Sequence, residues 1–446
     1  MKKFITLLLT ICSLNLCFAQ NQNPSNTPLT ITIEDAVNLA LENNLSIKQS
    51  KMDLEILALK DKYSWNSASP SFNLSIGANG SNSTTFKEGS IDSSSFGWSI
   101  SGGVSLNLTP ALFTAIKSAK LAYEAGENTL EMTKRNIELQ VRKTFYSLLY
   151  FNENLELQQR NLETVKQTYE SNLRKYNQGR LDELNLLKSQ YNYESKIPTI
   201  ETLKSTYETN LNNFKLVLGI DLSEELKLTG SLDEALNVTL DESILEQNVD
   251  EIPSIKTTKM SIETALNAYT ASKYSAYGPT ISFSVTDNIS KSDRTIGGNK
   301  SKGDVGNNLS YSANVRIPLD GYLPWSNSKI NMASQEESIE KMKQSLEDAK
   351  VKAKLSIKNT YTQIKQAKVQ LELLEKSVEL TQKTYDMSKR AYDVGSSDIL
   401  SLQTAEDNLA SAKYNVTNQK YTIISGILDL ENTLGLPFGT LNQLAN

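Results

Sequence analysis

The segment Tyr176-Asn-Gln-Gly-Arg-Leu-Asp182 recurs 216 residues later as Tyr392-Asp-Val-Gly-Ser-Ser-Asp398. Both copies place a glycine fourth, and glycine commonly ends a helix because it adopts a positive φ without steric strain. Both copies also place an aspartate three residues after that glycine, where its carboxylate can cap the first turn of a returning helix. Each copy therefore predicts a helical hairpin, with a tight tip at about 178–182 or 394–398.

The duplication extends beyond these tips. Ser46-Ile-Lys48, for example, returns as Ser254-Ile-Lys256. Self-similarity over such a period is typical of tandem structural repeats. We therefore divide the sequence into a first repeat, 32–230, and a second repeat, 231–446, each with a short helix, two strands and a long helical hairpin.

A heptad pattern marks the long helix of each repeat. Mostly apolar positions recur at steps of three and four residues over 339–385, and the same steps are kept over 123–169. Each helix runs for about 65 residues without proline, or roughly 100 Å at 1.5 Å per residue. The return helices are expected at about 182–218 and 398–434, so each repeat predicts a coiled-coil hairpin.

Between its short and long helices, each repeat changes to the apolar–polar alternation that is typical of β-strands. We predict strands at about 70–79, 96–108, 279–287 and 309–319. Two interpretations remain open: the apolar face packs against a second sheet in a soluble domain, or it faces lipid in a membrane barrel. In a membrane, the lipid-facing positions would be Phe72, Leu74, Ile76, Trp98, Ile100, Val104, Leu106, Ile281, Phe283, Val285, Tyr311, Val315 and Ile317.

The composition excludes several kinds of catalytic site. The 446 residues include no histidine, and the two cysteines, Cys12 and Cys17, both lie near the N-terminus. A Ser-His-Asp triad, a zinc site with Cys or His ligands and a haem held by histidine are therefore excluded. We expect no metal, no cofactor and no enzymatic activity. A formal net charge of −5 without a basic cluster also argues against a nucleic-acid partner.

The N-terminus predicts export. Lys2 and Lys3 precede an apolar run that is shorter than the roughly 20 residues of a transmembrane helix. We expect a signal peptide, 1–19, cleaved after Ala19, and a flexible leader, 20–31. The alternative is a lipoprotein acylated at Cys17.

Four strands are too few for a closed barrel, because the small barrels have about eight. An open sheet edge is not stable in lipid, so the membrane interpretation requires an oligomer. Three chains would supply twelve strands and six helical hairpins.

In its ordered set of features, the chain resembles the TolC-like outer membrane factors. The features are the opening Leu-Thr-Ile-Thr-Ile-Glu-Asp-Ala-Val at 29–37, the duplicated strand–strand–helix unit, the Tyr-x-x-Gly tips, and the Leu-Gly pairs at 218–219 and 434–435. The resemblance implies an α+β membrane protein: a homotrimer with a twelve-stranded β-barrel that is continued by a long periplasmic α-helical barrel. It also implies passive exit through the bacterial outer membrane for a tripartite efflux pump or a type I secretion system. The partners would be a periplasmic adaptor (membrane fusion) protein, an inner-membrane transporter and outer membrane lipid.

The resemblance further implies two sites. Adaptor hairpins would dock at the tips, where Asp182 and Asp398 are the expected helix caps and Arg180 departs from the family pattern. The tip residues are Gln178, Gly179, Arg180, Val394, Gly395 and Ser396. Some relatives carry acidic rings at a periplasmic aperture, and the corresponding positions here are Ser401 and Thr404. The nearby Glu406 and Asp407 are expected on a solvated helix face.

Two other functions compete with the channel. The chain could be a periplasmic coiled-coil scaffold or adaptor whose strands form a soluble domain. It could also be a carboxylate enzyme such as a glycosidase, but its carboxylates follow the exposed faces of helices and form no isolated pair. The resemblance also implies that the inner-membrane partner selects the cargo.

Overall fold

This computed structural model of the chain describes residues 29–84, 92–236 and 249–443. The predicted signal peptide and most of the predicted leader lie outside them. The helices are α1 Ile33–Asn43, α2 Leu45–Lys62, α3 Ala111–Asn177, α4 Glu183–Leu218, α5 Pro253–Tyr277, α6 Asn327–Asp393, α7 Ile399–Leu434 and α8 Thr440–Gln443. The strands are β1 Leu29–Ile31, β2 Ser71–Ser83, β3 Ser93–Leu108, β4 Leu226–Leu228, β5 Thr280–Ile296, β6 Asn299–Ser301 and β7 Gly306–Arg316.

The end of the predicted leader is structured. Residues 29–31 form β1, which pairs in parallel with β4, and the Leu29 amide donates to the Glu225 carbonyl at 2.8 Å. The leader boundary at residue 31 is therefore wrong, because these three residues gain a backbone partner that is distant in sequence.

Two compact units divide the chain. The first comprises the residues up to Asn44, Gln140–Asn237 and Ala367–Ser425, and the second comprises Leu45–Leu139, Val238–Gln366 and Gly426–Asn446. Each unit takes residues from both sequence repeats. The repeat boundary at 230–231 is therefore not a boundary between compact units.

Corresponding long helices of the two repeats have the same number of residues. Both α3 and α6 contain 67 residues, and both α4 and α7 contain 36. Seam positions such as Val141, Leu148 and Ile364 are at most 2% exposed, as a heptad pattern requires of packed helices. None of the described helices is long and apolar enough to cross a membrane.

The second unit holds an antiparallel sheet with strand order β2-β3-β5-β7. The short β6 pairs with the far end of β5, along the same edge as β7. The strands β2, β3 and β5 extend beyond the predicted strand bounds at 79, 96 and 287, because ladder hydrogen bonds use the backbone whatever the side chain. In contrast, β7 ends at Arg316, before Pro318, which has no N–H to donate.

A carboxylate is buried in the first unit. Glu406 on α7 is 4% exposed, and neither of its oxygens has a hydrogen-bond partner among the described residues. It lies with Tyr385 and Leu157 around a cavity of about 310 Å³. Burial raises the pKa of Glu406 to about 7, although Lys196 lowers it. The expectation of a solvated Glu406 is wrong because helix packing covers it, whereas Asp407 is exposed and pairs with Lys196 at 2.7 Å.

The buried carboxylate predicts that Glu406→Gln stabilises the protein at high pH. The pKa of Glu406 is about 7 in the folded chain and 4.5 for the free side chain. The free energy of unfolding therefore decreases as the pH rises from about 4.5 to about 7, and it stays at this lower value above pH 7. Glutamine keeps the shape and removes this loss. We expect the midpoint of thermal unfolding, followed by circular dichroism, to rise by several degrees at about pH 8 and to change little at about pH 5.

The matched control is Asp407→Asn, since this carboxylate lies next in the sequence on the exposed face of the same helix. Its effect at about pH 8 should be smaller than that of Glu406→Gln, as for most surface ion pairs. A Glu406→Gln variant that is no more stable than the parent at about pH 8 would contradict the interpretation.

Candidate functional site

The strand register gives the sheet an apolar face and a polar face. Phe72 lies opposite Val104, and Val104 lies opposite Val285 on the next strand. Side chains directly opposite one another project from the same face. All but one of the residues that the sequence predicts to face lipid lie on this face: Phe72, Leu74, Ile76, Trp98, Ile100, Val104, Leu106, Ile281, Phe283, Val285, Tyr311 and Val315. The exception, Ile317, follows the end of β7.

The described residues leave the apolar face uncovered. Phe72 is 79% exposed, Ile76 is 75% exposed and Tyr311 is 81% exposed. An exposed apolar surface that spans four strands marks a site of contact with lipid or another protein.

The polar face consists mainly of Ser, Asn, Thr and Gly. Hydroxyl groups pair across its strands, with Oγ–Oγ distances of 2.6 Å for Ser75 and Ser101 and 2.8 Å for Ser284 and Ser312. Such cross-strand pairs stabilise a sheet whose side chains on this face remain in contact with water.

Charged groups interrupt and bound the apolar face along β5. Asp287 lies between Gly102 and Leu309, while Lys291 lies opposite Trp98 further along the strand. From Ile281 to Ile289 the strand rises roughly 26 Å, at about 3.3 Å per residue. At a strand tilt of about 40° this run spans roughly 20 Å across the membrane, of the same order as the roughly 25 Å apolar band of a membrane barrel.

Both outer edges of the sheet are open. Within the described residues, β2 pairs only with β3, and β7 pairs only with β5. Each edge strand therefore presents backbone N–H and C=O groups that can pair with another chain.

The two hairpin tips have the same backbone structure. Gly179 has a φ of 70° and Gly395 a φ of 78°, in the left-handed region. After each glycine, a backbone N–H returns to the helix, from Arg180 to the Lys175 carbonyl at 2.9 Å and from Ser396 to the Ala391 carbonyl at 2.9 Å. This arrangement is the Schellman motif, which ends a helix sharply.

An aspartate begins each return helix. The Asp182 carboxylate accepts from the Asn185 amide at 2.9 Å, and the Asp398 carboxylate accepts from the Ser401 amide at 2.9 Å. Hydrogen bonds from Asn185 and Ser401 lower the pKa of Asp182 and Asp398, respectively. Both carboxylates therefore satisfy free amides at a helix N-terminus.

The tips combine open space with exposed apolar side chains. No atom lies within 4 Å of where a Cβ on Gly179 or Gly395 would stand. Val394 is 79% exposed, and Leu184 is 62% exposed. Gln178, Arg180 and Ser396 are exposed as well.

Contacts that the sequence pattern does not predict join the two hairpins near their tips. The Tyr392 hydroxyl donates to the Asn172 Oδ1 at 2.7 Å, and the Lys175 ammonium lies 5.1 Å from the centre of the Tyr392 ring. Asn172 is 0% exposed. The only sequence signal was the recurrence of tyrosine at the start of each quoted tip segment.

The positions compared with an aperture both lie on α7, near the second tip. Ser401 and Thr404 are exposed, and the Thr404 hydroxyl donates to the Leu400 carbonyl at 2.8 Å. Among the described residues, no cluster of three or more acidic side chains could hold a metal ion.

Known proteins match along most of the chain. The sequence profile of the outer membrane efflux protein family matches residues 36–220 and 245–436. No curated protein sequence matches the chain significantly.

Solved outer membrane channels share the fold. The Campylobacter jejuni CmeC outer membrane channel is 18% identical, with 90% of this chain and 85% of that chain covered and a TM-score of 0.68. The open state of the Neisseria gonorrhoeae MtrE outer membrane channel is 18% identical, with coverages of 91% and 89% and a TM-score of 0.66. CusC, described in relation to transmembrane channel formation, is 16% identical, with coverages of 91% and 92% and a TM-score of 0.70.

These findings confirm the resemblance on which the sequence interpretation depends. They also confirm the predicted α+β fold class, the outer membrane location and the efflux function, and the family is one of transport proteins rather than enzymes. Because the profile matches well over half of its residues, the chain belongs to the outer membrane efflux protein family.

Proposed function

We propose that this chain is one subunit of a homotrimeric channel that gives passive exit to the cargo of a tripartite efflux pump or a type I secretion system. The observation that carries the proposal is the two-faced sheet with open edges at β2 and β7. A soluble scaffold or adaptor would need other elements to cover the apolar face, and the described residues leave it exposed.

The edges determine how copies join. An unpaired backbone group in hydrocarbon costs several kcal/mol, so a membrane sheet must close on itself. Since the four strands alternate in direction, β7 of one copy runs antiparallel to β2 of the next. Three copies then form twelve antiparallel strands, a barrel wide enough to leave room for water.

The faces determine which side meets lipid. In a closed barrel, the apolar face would contact lipid and the Ser- and Asn-rich face would line a water-filled lumen. Such a lumen needs no catalytic group, and cargo would move through it by diffusion.

The tips would receive the adaptor. Val394 and Leu184 offer apolar contacts, and the two tip glycines leave room for a close approach of another backbone. Arg180 adds a charge that would select among adaptors. Docking there would connect the duct to an inner-membrane transporter, with Ser401 and Thr404 at the aperture.

The oligomer itself provides the direct test. We expect the full chain, purified in detergent, to have the mass of a trimer and to conduct ions after insertion into planar lipid bilayers, because only the closed barrel satisfies both sheet edges. A monomer that is soluble without detergent would support the scaffold alternative and refute the channel.

A charge on the apolar face should block assembly. We expect Leu74→Lys to reduce the trimer in outer membranes severely, since a lysine near the bilayer midplane costs about 2–4 kcal/mol in each subunit. The measurement is the fraction of protein that runs as a trimer in gels of unboiled membranes.

The matched control is Ser75→Lys, because Ser75 is the next residue and its side chain lies on the polar face. This variant should assemble normally. Equal assembly of the two variants would mean that the apolar face does not contact lipid.

The tip contact can be located by a photo-crosslinking amino acid placed at Val394 in living cells. We expect adducts with a periplasmic adaptor, identified by mass spectrometry, and about a tenfold weaker affinity for that adaptor in Val394→Asp, or about 1.4 kcal/mol. The 79% exposure of Val394 means that the variant should still fold.

Met387 is the control position, since it is 70% exposed on α6 two helical turns before the tip. A crosslinker there should give no adaptor adduct, and Met387→Asp should bind the adaptor normally. Adducts of equal yield at both positions would exclude the tip as the specific contact.

A further inference from the structure

The polar face of the sheet carries charges of one sign. In the described strands, its side chains belong to Ser, Thr, Asn and Gly, to Ile296, and to two arginines. Arg294 lies opposite Ser95 and Ser301, and Arg316 lies opposite Thr280. Both arginines are exposed, and no carboxylate of the described residues lies within 4 Å of either guanidinium.

The carboxylates of these strands lie on the other face. Asp287 and Asp293 project from the apolar side of β5, and Lys291 on that side lies 3.8 Å from Asp293. Alternation along one strand therefore places Arg294 on the polar face and its acidic neighbour on the opposite face. The polar face is thus cationic, although the whole chain has a net charge of −5.

The two arginines lie near opposite ends of the sheet. Arg316 is the last residue of β7, and Arg294 is two residues from the end of β5. In a threefold assembly, each would contribute a ring of three guanidinium groups. The guanidinium group of arginine is a permanent cation in proteins.

We propose that Arg294 and Arg316 make the barrel lumen selective for anions, so that it favours anionic over cationic solutes. This inference rests on the proposed function, in which the polar face lines the lumen. Rings of charged side chains set the selectivity of many pores, because they raise the local concentration of the opposite charge. Between the rings, the Ser and Asn side chains would hydrate a solute without adding a competing charge.

The test is the reversal potential of the trimer in a planar bilayer under a KCl gradient. For the parent protein, we expect a chloride-to-potassium permeability ratio of about three, and higher at low salt because screening weakens. The ratio should fall to about one in the double variant Arg294→Gln, Arg316→Gln.

Lys291→Gln is the matched control, because Lys291 is also a cation on β5 but projects from the apolar face. It should leave the permeability ratio unchanged. A parent channel that prefers potassium, a double variant with unchanged selectivity, or a Lys291→Gln variant with the same loss would each overturn the proposal. A chain that forms no trimer would instead refute the proposed function.

A second experiment measures the electrostatic potential in the barrel lumen from the rate at which charged reagents modify a thiol there. It does not require ions to flow through the whole duct. The sequence has cysteines only at positions 12 and 17, so Ser290→Cys places a single thiol on the polar face, four residues from Arg294. An anionic thiosulfonate reagent should modify this thiol several-fold faster than a cationic one. Arg294→Gln should remove that preference, and a preference for the cationic reagent would contradict the anionic selectivity.

Discussion

The unpaired backbone groups along β2 and β7 constrain most of what this protein can be. In water, such edges bind solvent, but in hydrocarbon each unsatisfied group costs several kcal/mol. The sheet has four strands and alternating directions, so it presents complementary edges that only further copies can pair. Membership of an outer membrane family thus makes oligomerisation a condition of the membrane-bound fold, since no other described strand reaches these edges.

Each of these strands contributes side chains to both faces of the sheet. One residue in two is available for lipid and the next for water, so a single β-segment supplies both the outer surface and the lining. The Ser–Ser hydroxyl pairs stabilise the polar face from within, without adding charge. The charges that remain are sorted by the same alternation, with Arg294 on one face and Asp293 on the other.

The periodic parts of the structure could be predicted from the sequence, and the exceptions have local causes. The heptad pattern and the tip glycines predict the helical hairpins, because helix packing stripes and helix ends are determined by residues that are close in sequence. The strand ends and β1 depend on backbone partners that are distant in sequence, which side-chain patterns do not reveal. The prediction for Glu406 was wrong because a charged residue type predicts a solvent-exposed position. Its burial beside Tyr385 depends on how three helices pack together, which the local sequence does not reveal. The docking and aperture roles depend on partners, so they remain proposals.

The duplicated helices explain which changes the fold tolerates. The bounds of α3 and α6 differ by 216 residues at both ends, as do those of α4 and α7, so neither repeat has gained or lost a residue in its hairpin. One inserted residue would rotate every later seam position by about 100° and expose the packed face. The strand segments have diverged in length, with 13 residues in β2 and 17 in β5. A strand can lengthen at its loop end without disturbing the register below it, so variation is concentrated there.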